Sequence, residues 1–222
     1  LRSALSRDHL KELPLDSIVA NTQGSLGYML QRTLRQALHL KGVERPIATL
    51  VTEVLVDPSD QAFEEPTKPI GNFYSDEEAQ ALSQHFGWLM VEDSQRGYRR
   101  VVPSPSPMSV VQTQVIKALV ATGTIVICCG GGGIPVTRQG NGTIRGLEAV
   151  IDKDRVASLL AVELGSPRLV ITTGVESVYT HFGSEKEQAL RDTHVEEVRA
   201  LAREGHFPPG SMRPKMEAAV YY

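Results

Sequence analysis

Four consecutive glycines, Gly130, Gly131, Gly132 and Gly133, follow an apolar run at residues 124–129 that is typical of a buried strand. Four glycines lose much chain entropy on folding, so a stable protein keeps them only where the backbone must come very close to another group. A plain tight loop is the alternative, and it is more common for one or two glycines than for four. We therefore predict a glycine loop that approaches a ligand at the end of a strand.

A lysine between two aspartates follows at Asp152, Lys153 and Asp154, where a helix over residues 153–164 is predicted to start. Asp152 is a good helix cap, and Gly165 ends the helical pattern. The first turn of a helix favours anions, although a solvated first turn with a capping aspartate is an alternative. With the glycine loop, this lysine predicts a site for a phosphate-sized anion.

Two further lysines stand where the backbone is stiff. Lys68 lies between Pro66 and Pro69, and Lys215 follows Pro214 near the start of a last helix. Taken singly, each could be a solvated surface charge. Together with Lys153 and the glycines they resemble the charge clamp of a phosphoryl-transfer site.

Several other classes of site are excluded by pattern. Pro135 stands where a dinucleotide-binding loop requires its last glycine, and the chain has no P-loop motif. The six histidines show no metal-ligand spacing, so we predict no metal site. No G-x-S-x-G setting supports a covalent hydrolase.

The composition of the chain argues against several classes of binding partner. A net charge of −3 argues against nucleic-acid binding, and no apolar run is long enough to cross a bilayer. No signal peptide is visible, and the only cysteines, Cys128 and Cys129, are adjacent and fit a buried strand better than a disulfide. We expect a cytoplasmic protein that binds neither nucleic acid nor membranes.

Strands that alternate with helices predict an α/β fold with a mainly parallel sheet and helices on both faces. One domain with an insertion and two domains are both compatible with 222 residues. Residues 57–107 are rich in proline and read as a compact excursion from the main sheet. The first predicted helix runs from Asp16 or Ser17 to Gly42 and is interrupted at Gly24 and Gly27. Further helices are predicted at 75–86, 108–121, 153–164, about 193–203 and after 211. Strands are predicted at 47–56, 88–91, 98–102, 124–129 and 168–173, and a turn at 138–145.

The glycine run with Ile134-Pro135-Val136 and the segment from Glu148 to Asp154 closely resemble the carbamate kinases of the amino acid kinase superfamily. The similarity extends over nearly the whole chain. It includes the strings at residues 14–16, 22–28, 56–58, 66–71, 99–105, 205–207 and 209–212.

This resemblance implies a three-layer α/β sandwich around an open, mainly parallel mixed sheet, formed by a single domain over 1–222 with a protruding subdomain at 57–107. It implies a homodimer that transfers a phosphoryl group reversibly between ATP and carbamate, with Mg²⁺. Carried over by motif, Lys153 would stabilise the transferring group, Asp154 would orient the lysines, and Lys68 and Lys215 would contact phosphates. Gly130 to Gly133 would hold carbamoyl phosphate, and the nucleotide would be bordered by Thr173, Gly174, Val175, Gly210, Ser211 and Met212.

The chain also departs from the family pattern. It lacks the family's N-terminal glycine loops and its C-terminal strands, and Glu176 stands where an aspartate is usual. Two alternatives therefore accompany the kinase prediction. One is a non-catalytic relative that acts as a dimeric binding protein, and the other is a sister amino acid kinase with a different acceptor.

Overall fold

The computed structural model describes residues 13–93, 95–208 and 212–222. Six α-helices run over Leu15–Leu40 (α1), Asp76–Phe86 (α2), Thr113–Ala121 (α3), Lys153–Leu164 (α4), Val195–Arg203 (α5) and Met212–Tyr221 (α6). The strands are Ile47–Thr49 (β1), Glu53–Val56 (β2), Lys68–Tyr74 (β3), Met90–Glu92 (β4), Tyr98–Val102 (β5), Pro107–Val110 (β6), Ile125–Ile127 (β7), Ile134–Arg138 (β8), Ile144–Gly146 (β9), Val178–Thr180 (β10) and Gln188–Leu190 (β11).

One sheet is mixed, as predicted, and the other sheets in the described ranges are purely parallel or purely antiparallel. β1 pairs with β7 in parallel, and β2 pairs with β8 in parallel, within a sheet of order β6-β2-β8-β9. In the described ranges, parallel pairing is confined to these two pairs, and the other neighbours are antiparallel. The predicted strand over 47–56 is divided at residues 50–52, so β1 and β2 belong to different sheets.

The long helix α1 packs on β1, β7 and β8. Its glycines do not interrupt it, contrary to the prediction, and Pro14 rather than Asp16 or Ser17 is its N-cap residue. A Cβ on Gly27 would lie 2.2 Å from Thr49 Cγ2, so this glycine allows the helix to approach β1 closely. Gly24 has open space around it and no such role.

The hydrophobic core lies between β2, β6, α3 and α4. Its buried residues are Val54, Val56, Val110, Ile116, Ile151, Val156 and Leu160. Ile151 immediately precedes Asp152, the N-cap residue of α4, and Val54 faces the end of the glycine loop. The core therefore fixes the two segments that the sequence marks as functional.

The excursion at 57–107 contains the antiparallel sheet β3-β5-β4 and helix α2. Ser75 caps α2 in a capping box with Glu78, as its sequence favours. After this excursion the chain returns to the main sheet through β6. Its status as a separate subdomain stays a prediction.

The predicted turn at 138–145 is confirmed at the tip of the β8–β9 hairpin. Three other local predictions were wrong. Residues 107–110 form a strand rather than the start of a helix, because β6 pairs with β2. Helix α5 is preceded by His194 at its N-cap rather than Asp192 or Thr193. Residues 168–173 form no strand, and no strand in the described ranges pairs with them.

No helix in the described part of the chain is long and apolar enough to cross a membrane.

Candidate functional site

The glycine loop follows β7 and begins with a reversal of the backbone. Cys129 has a left-handed conformation with φ of 54°, and Gly130–Gly132 form one short 3-10 turn. Gly131, Gly132 and Gly133 all have positive φ, of 68°, 99° and 79°. Only glycine adopts such a succession without strain, which explains the run in the sequence.

The four glycines divide into two pairs with different surroundings. A Cβ on Gly132 would lie 2.2 Å from the Ile151 carbonyl oxygen, and one on Gly133 would lie 2.5 Å from Val54 Cγ2. These two are buried and seat the loop against the body of the protein. Gly130 and Gly131 are exposed, and Gly131 faces open space. The predicted close approach is therefore partly to the protein itself, and the first two glycines remain open to a ligand.

A buried hydrogen-bond cluster of Gln23, Thr52 and Cys129 holds the start of this loop. The Gln23 amide donates to the Thr52 carbonyl at 3.0 Å, and its Oε1 accepts from the Thr52 backbone N–H at 2.9 Å. Thr52 Oγ1 in turn accepts from the Cys129 N–H at 2.6 Å. Sequence reasoning missed both Gln23 and Thr52, although Thr52 is a polar residue within a mainly apolar run.

The start of α4 has the predicted geometry. Asp152 Oδ1 accepts from the backbone N–H groups of Asp154 and Arg155 at 3.0 and 3.4 Å, which caps the helix. The Lys153 side chain is 63% exposed, and its Nζ lies 3.5 Å from Asp154 Oδ2. A Cβ on Gly132 would also lie 3.4 Å from the Lys153 backbone nitrogen, so the glycine loop and this helix start are neighbours.

Two lysines from distant parts of the chain join this helix start. Lys68 Nζ lies 2.6 Å from Asp152 Oδ2, although the sequence prediction had assigned the orienting of the lysines to Asp154. Lys215 donates to both carboxylate oxygens of Asp154, at 3.2 and 3.0 Å. Arg155 contacts Glu217 at 2.8 Å and so ties α6, which carries Lys215, to α4.

The electrostatics of Asp152 follow from these contacts. Burial raises the pKa of its carboxyl, but Lys68 and the N–H groups of Asp154 and Arg155 outweigh burial and hold the pKa below its ordinary value. Three ammonium groups and two carboxylates thus form one cluster with one net positive charge. The exposed Lys153 is the member with the weakest ion pair.

A cavity of about 300 Å³ opens beside Lys153, between α4, the end of β7 and residues 168–170. Cys128 and Cys129 line it as free thiols. A hydrogen bond between the two thiols raises the pKa of Cys128 and lowers the pKa of Cys129.

The predicted nucleotide-binding residues are less well assembled. Thr173, Gly174 and Val175 lie in an exposed stretch before β10, and no hydrogen bond or ion pair among the described residues joins them to the lysine cluster. Met212 is the first residue of α6, three residues before Lys215. Gly210 and Ser211 lie outside the described residues.

The described residues offer this site two carboxylates but no set of metal-ligating side chains. In the described ranges, no group of three or more His, Cys, Asp or Glu residues could hold a metal ion. Asp152 and Asp154 are each engaged by a lysine. The residues that the structure describes therefore do not form a dedicated Mg²⁺ site.

Comparison with known proteins identifies the family to which this site belongs. A family model described as the amino acid kinase family matches residues 28–222. A carbamate kinase of Pyrococcus furiosus is 47% identical over 209 residues, which are 94% of this chain and 66% of that protein. A carbamate kinase of Staphylococcus epidermidis is 42% identical over 222 residues, which are 100% of this chain and 72% of that protein.

A solved structure, carbamate kinase from Giardia lamblia bound to AMP-PNP, has a TM-score of 0.85 and 42% identity, and the match covers 96% of this chain and 67% of that chain. The chain spans about two thirds of the length of the curated relatives it matches. The predicted amino acid kinase fold is confirmed. By its sequence and its fold, this chain belongs to the amino acid kinase family and, within that family, to the carbamate kinases.

Proposed function

We propose that this protein is a kinase that transfers a phosphoryl group reversibly between ATP and carbamate. In the direction of ATP synthesis, the bond between phosphorus and the carbamate oxygen of carbamoyl phosphate breaks, and a bond to the β-phosphate oxygen of ADP forms. Carbamate leaves and gives ammonia and CO₂. The observation that carries the proposal is the cluster of Lys68, Lys153 and Lys215 around Asp152 and Asp154, next to an open glycine loop.

The lysine cluster suits this reaction because phosphoryl transfer needs alignment and positive charge more than a nucleophile. Lys153 is the most exposed of the three lysines and has the longest ion-pair distance, so it is free to follow the charge of the transferring group. Lys215 is half-buried against Asp154 and presents its charge from a fixed position. We assign Asp154 to orienting Lys153 and Lys215, since its Oδ2 lies within 3.5 Å of both ammonium groups.

We assign carbamoyl phosphate to the side of the glycine loop. Gly130 and Gly131 are exposed, and without side chains a phosphate can approach their backbone. The nucleotide is assigned to the side of Thr173, Gly174, Val175, Gly210, Ser211 and Met212. The Giardia carbamate kinase with AMP-PNP supports a nucleotide as the second substrate.

Mg²⁺ is proposed as a companion of the nucleotide. It neutralises phosphate charge when bound, and in phosphoryl-transfer enzymes it is commonly held in large part by substrate phosphates. Because the described carboxylates form no metal-binding group, we assign none of them to Mg²⁺.

The direct test is ATP formation by the purified full chain from carbamoyl phosphate and MgADP, followed with luciferase. We expect ATP to appear with carbamoyl phosphate and not with acetyl phosphate. Binding of ADP without ATP formation would contradict the proposal and favour a non-catalytic binding protein. ATP from acetyl phosphate but not from carbamoyl phosphate would favour a sister kinase.

We also propose a homodimer, in which α1 contributes to the interface. Leu26, Met29 and Leu30 share one face of α1 and are 51%, 56% and 57% exposed. Such an apolar face is unfavourable in water and is explained by a second copy that covers it. Sedimentation of the wild type as a dimer and of Leu30→Glu as a monomer is the expected result, and a monomeric wild type would contradict it.

A further inference from the structure

The two carboxylate oxygens of Asp152 have separate partners. Oδ1 caps α4 through the N–H groups of Asp154 and Arg155, and Oδ2 binds the ammonium group of Lys68 at 2.6 Å. The Asp152 side chain is only 8% exposed. A single buried side chain therefore joins the first turn of α4 to the sheet β3-β5-β4.

Lys68 reaches this contact from a different part of the fold. It is the first residue of β3, where it pairs with Val102 of β5, and it lies 84 positions before Asp152. The sheet and Pro69 fix the backbone of Lys68, but its side chain is a flexible chain of four carbons. Without a partner for Nζ, the ammonium group would sample many positions near the glycine loop.

We propose that Asp152 is a positioning residue, which holds the Lys68 ammonium group at the place where it meets the transferred phosphate. This inference rests on the proposed function. An ammonium group has three N–H donors, and Asp152 uses one of them, so two remain for phosphate oxygens. Asp152 itself does not contact substrate, because both its oxygens are engaged and its negative charge repels phosphate.

Asp152 differs in this from Asp154. Asp154 binds Lys215, which lies on α6, the helix that packs directly against α4. Asp152 binds a lysine from a separate sheet, and its side chain is held in place by the cap that it forms. The cap thus gives the carboxylate a fixed orientation, which the carboxylate transmits to Lys68.

A double-mutant cycle in kinetics tests this role. Asp152→Asn keeps an oxygen that can cap α4 but loses the charge that holds Lys68. In the wild-type background we expect kcat to fall on the order of tenfold to a hundredfold, with a much smaller change in KM for carbamoyl phosphate, because misplacing a charge by about 1 Å costs that much. In a Lys68→Met background the same substitution should change kcat less than about twofold, since coupled residues are not additive. An equal loss in both backgrounds overturns the proposal.

Glu148→Gln is the matched control. Glu148 Oε2 lies 3.7 Å from Arg100, a residue of the same sheet, while its Oε1 accepts from the Leu15 N–H at 2.7 Å. The glutamine removes a charged link to that sheet and keeps an acceptor for Leu15. We expect less than a threefold change in kcat. A loss as large as that of Asp152→Asn would mean that any link to the sheet has the same effect, and would overturn the specific role of Asp152.

Labelling of Lys68 gives a readout that needs no kinase activity. In the folded full chain, acetylation by acetic anhydride and mass spectrometry should modify Lys68 faster in Asp152→Asn than in the wild type, relative to the exposed Lys117. The reason is that an amine held at 2.6 Å from a carboxylate is less free to attack the reagent. Unchanged labelling of Lys68 in Asp152→Asn overturns the proposal. If the wild type forms no ATP but Lys68 is labelled faster in the variant, the result counts against the proposed function alone. If Asp152→Asn does not fold, Asp152→Ser serves instead, because serine also caps a helix but cannot reach Lys68.

Discussion

The start of α4 and the stretch at residues 169–176 both belong to the predicted site, but they are held very differently. At the start of α4, Asp152 and Asp154 are 6% and 7% exposed, and each binds a lysine from another element. In the stretch 169–176, Val170 is 74% exposed, and no backbone hydrogen bond among the described residues joins the stretch to another element. The proposed phosphate side of the site is therefore pre-organised by buried carboxylates, and the proposed nucleotide side is not. Substitutions should be costly in the first region and tolerated in the second.

The largest expected effect comes from a comparison of two glycines, Gly132, which packs against Ile151 just before the cap of α4, and Gly174 in the stretch 169–176. Gly132→Ala places a Cβ 2.2 Å from the Ile151 carbonyl oxygen at a φ of 99°. We expect the free energy of unfolding to fall by about 3 kcal/mol or more, from left-handed backbone strain and overpacking together. A Cβ on Gly174 would meet nothing within 4 Å, so Gly174→Ala should change the free energy of unfolding by less than about 0.5 kcal/mol. Urea unfolding of both variants measures this, and equal effects would remove the contrast between the regions.

Lys153→Ala should lower turnover on the order of a hundredfold or more, about 2.7 kcal/mol in the barrier, because Lys153 is assigned to the charge of the transferring group. Its effect on folding should be small, since the side chain is 63% exposed. Lys117→Ala, an exposed lysine of α3, is the control for the change in net charge and should retain wild-type turnover. Near-normal turnover in Lys153→Ala, measured by coupled ATP formation, would remove Lys153 from the mechanism.

Gln23→Leu should reduce the free energy of unfolding by about 2 kcal/mol, because it leaves the buried N–H of Thr52 without its acceptor and removes one of the two donors to the Thr52 carbonyl. The loss of this contact should also loosen the glycine loop through Thr52 and Cys129. Gln84→Leu, at an exposed position of α2, is the control and should have little effect. A Gln23→Leu variant as stable as the wild type would show that the cluster does not anchor the loop.

The two regions also differ in how well the sequence predicts them. Helix α4, its cap Asp152 and its end at Gly165 were predicted correctly, because capping and glycine stop signals are local. The predicted strand at 168–173 did not form, since a strand requires a neighbour for its N–H and C=O groups and periodicity does not reveal one. The lysines were found individually from their rigid surroundings. Their pairing with particular aspartates could not be predicted, because Lys68 and Asp152 are 84 positions apart and only the tertiary fold brings them together.

The last prediction concerns the pH dependence of stability and is the smallest. The pKa of Asp152 is lowered in the folded protein from an ordinary value of 3.8, so between the two values the unfolded chain binds more protons than the folded one. The stabilisation is therefore fully present above the ordinary pKa and is lost as the pH falls through the folded pKa.

Asp152→Asn removes this titrating group. Its free energy of unfolding should lie below that of the wild type near pH 6, and the difference should shrink as the pH approaches 3. Urea unfolding from pH 3 to pH 6 measures both proteins, and other carboxyls such as Glu217, whose pKa is also lowered, contribute equally to each and cancel in the difference. A difference that stays constant over this range would mean that the ion pair with Lys68 adds nothing to stability, and that the cap alone keeps Asp152 in place.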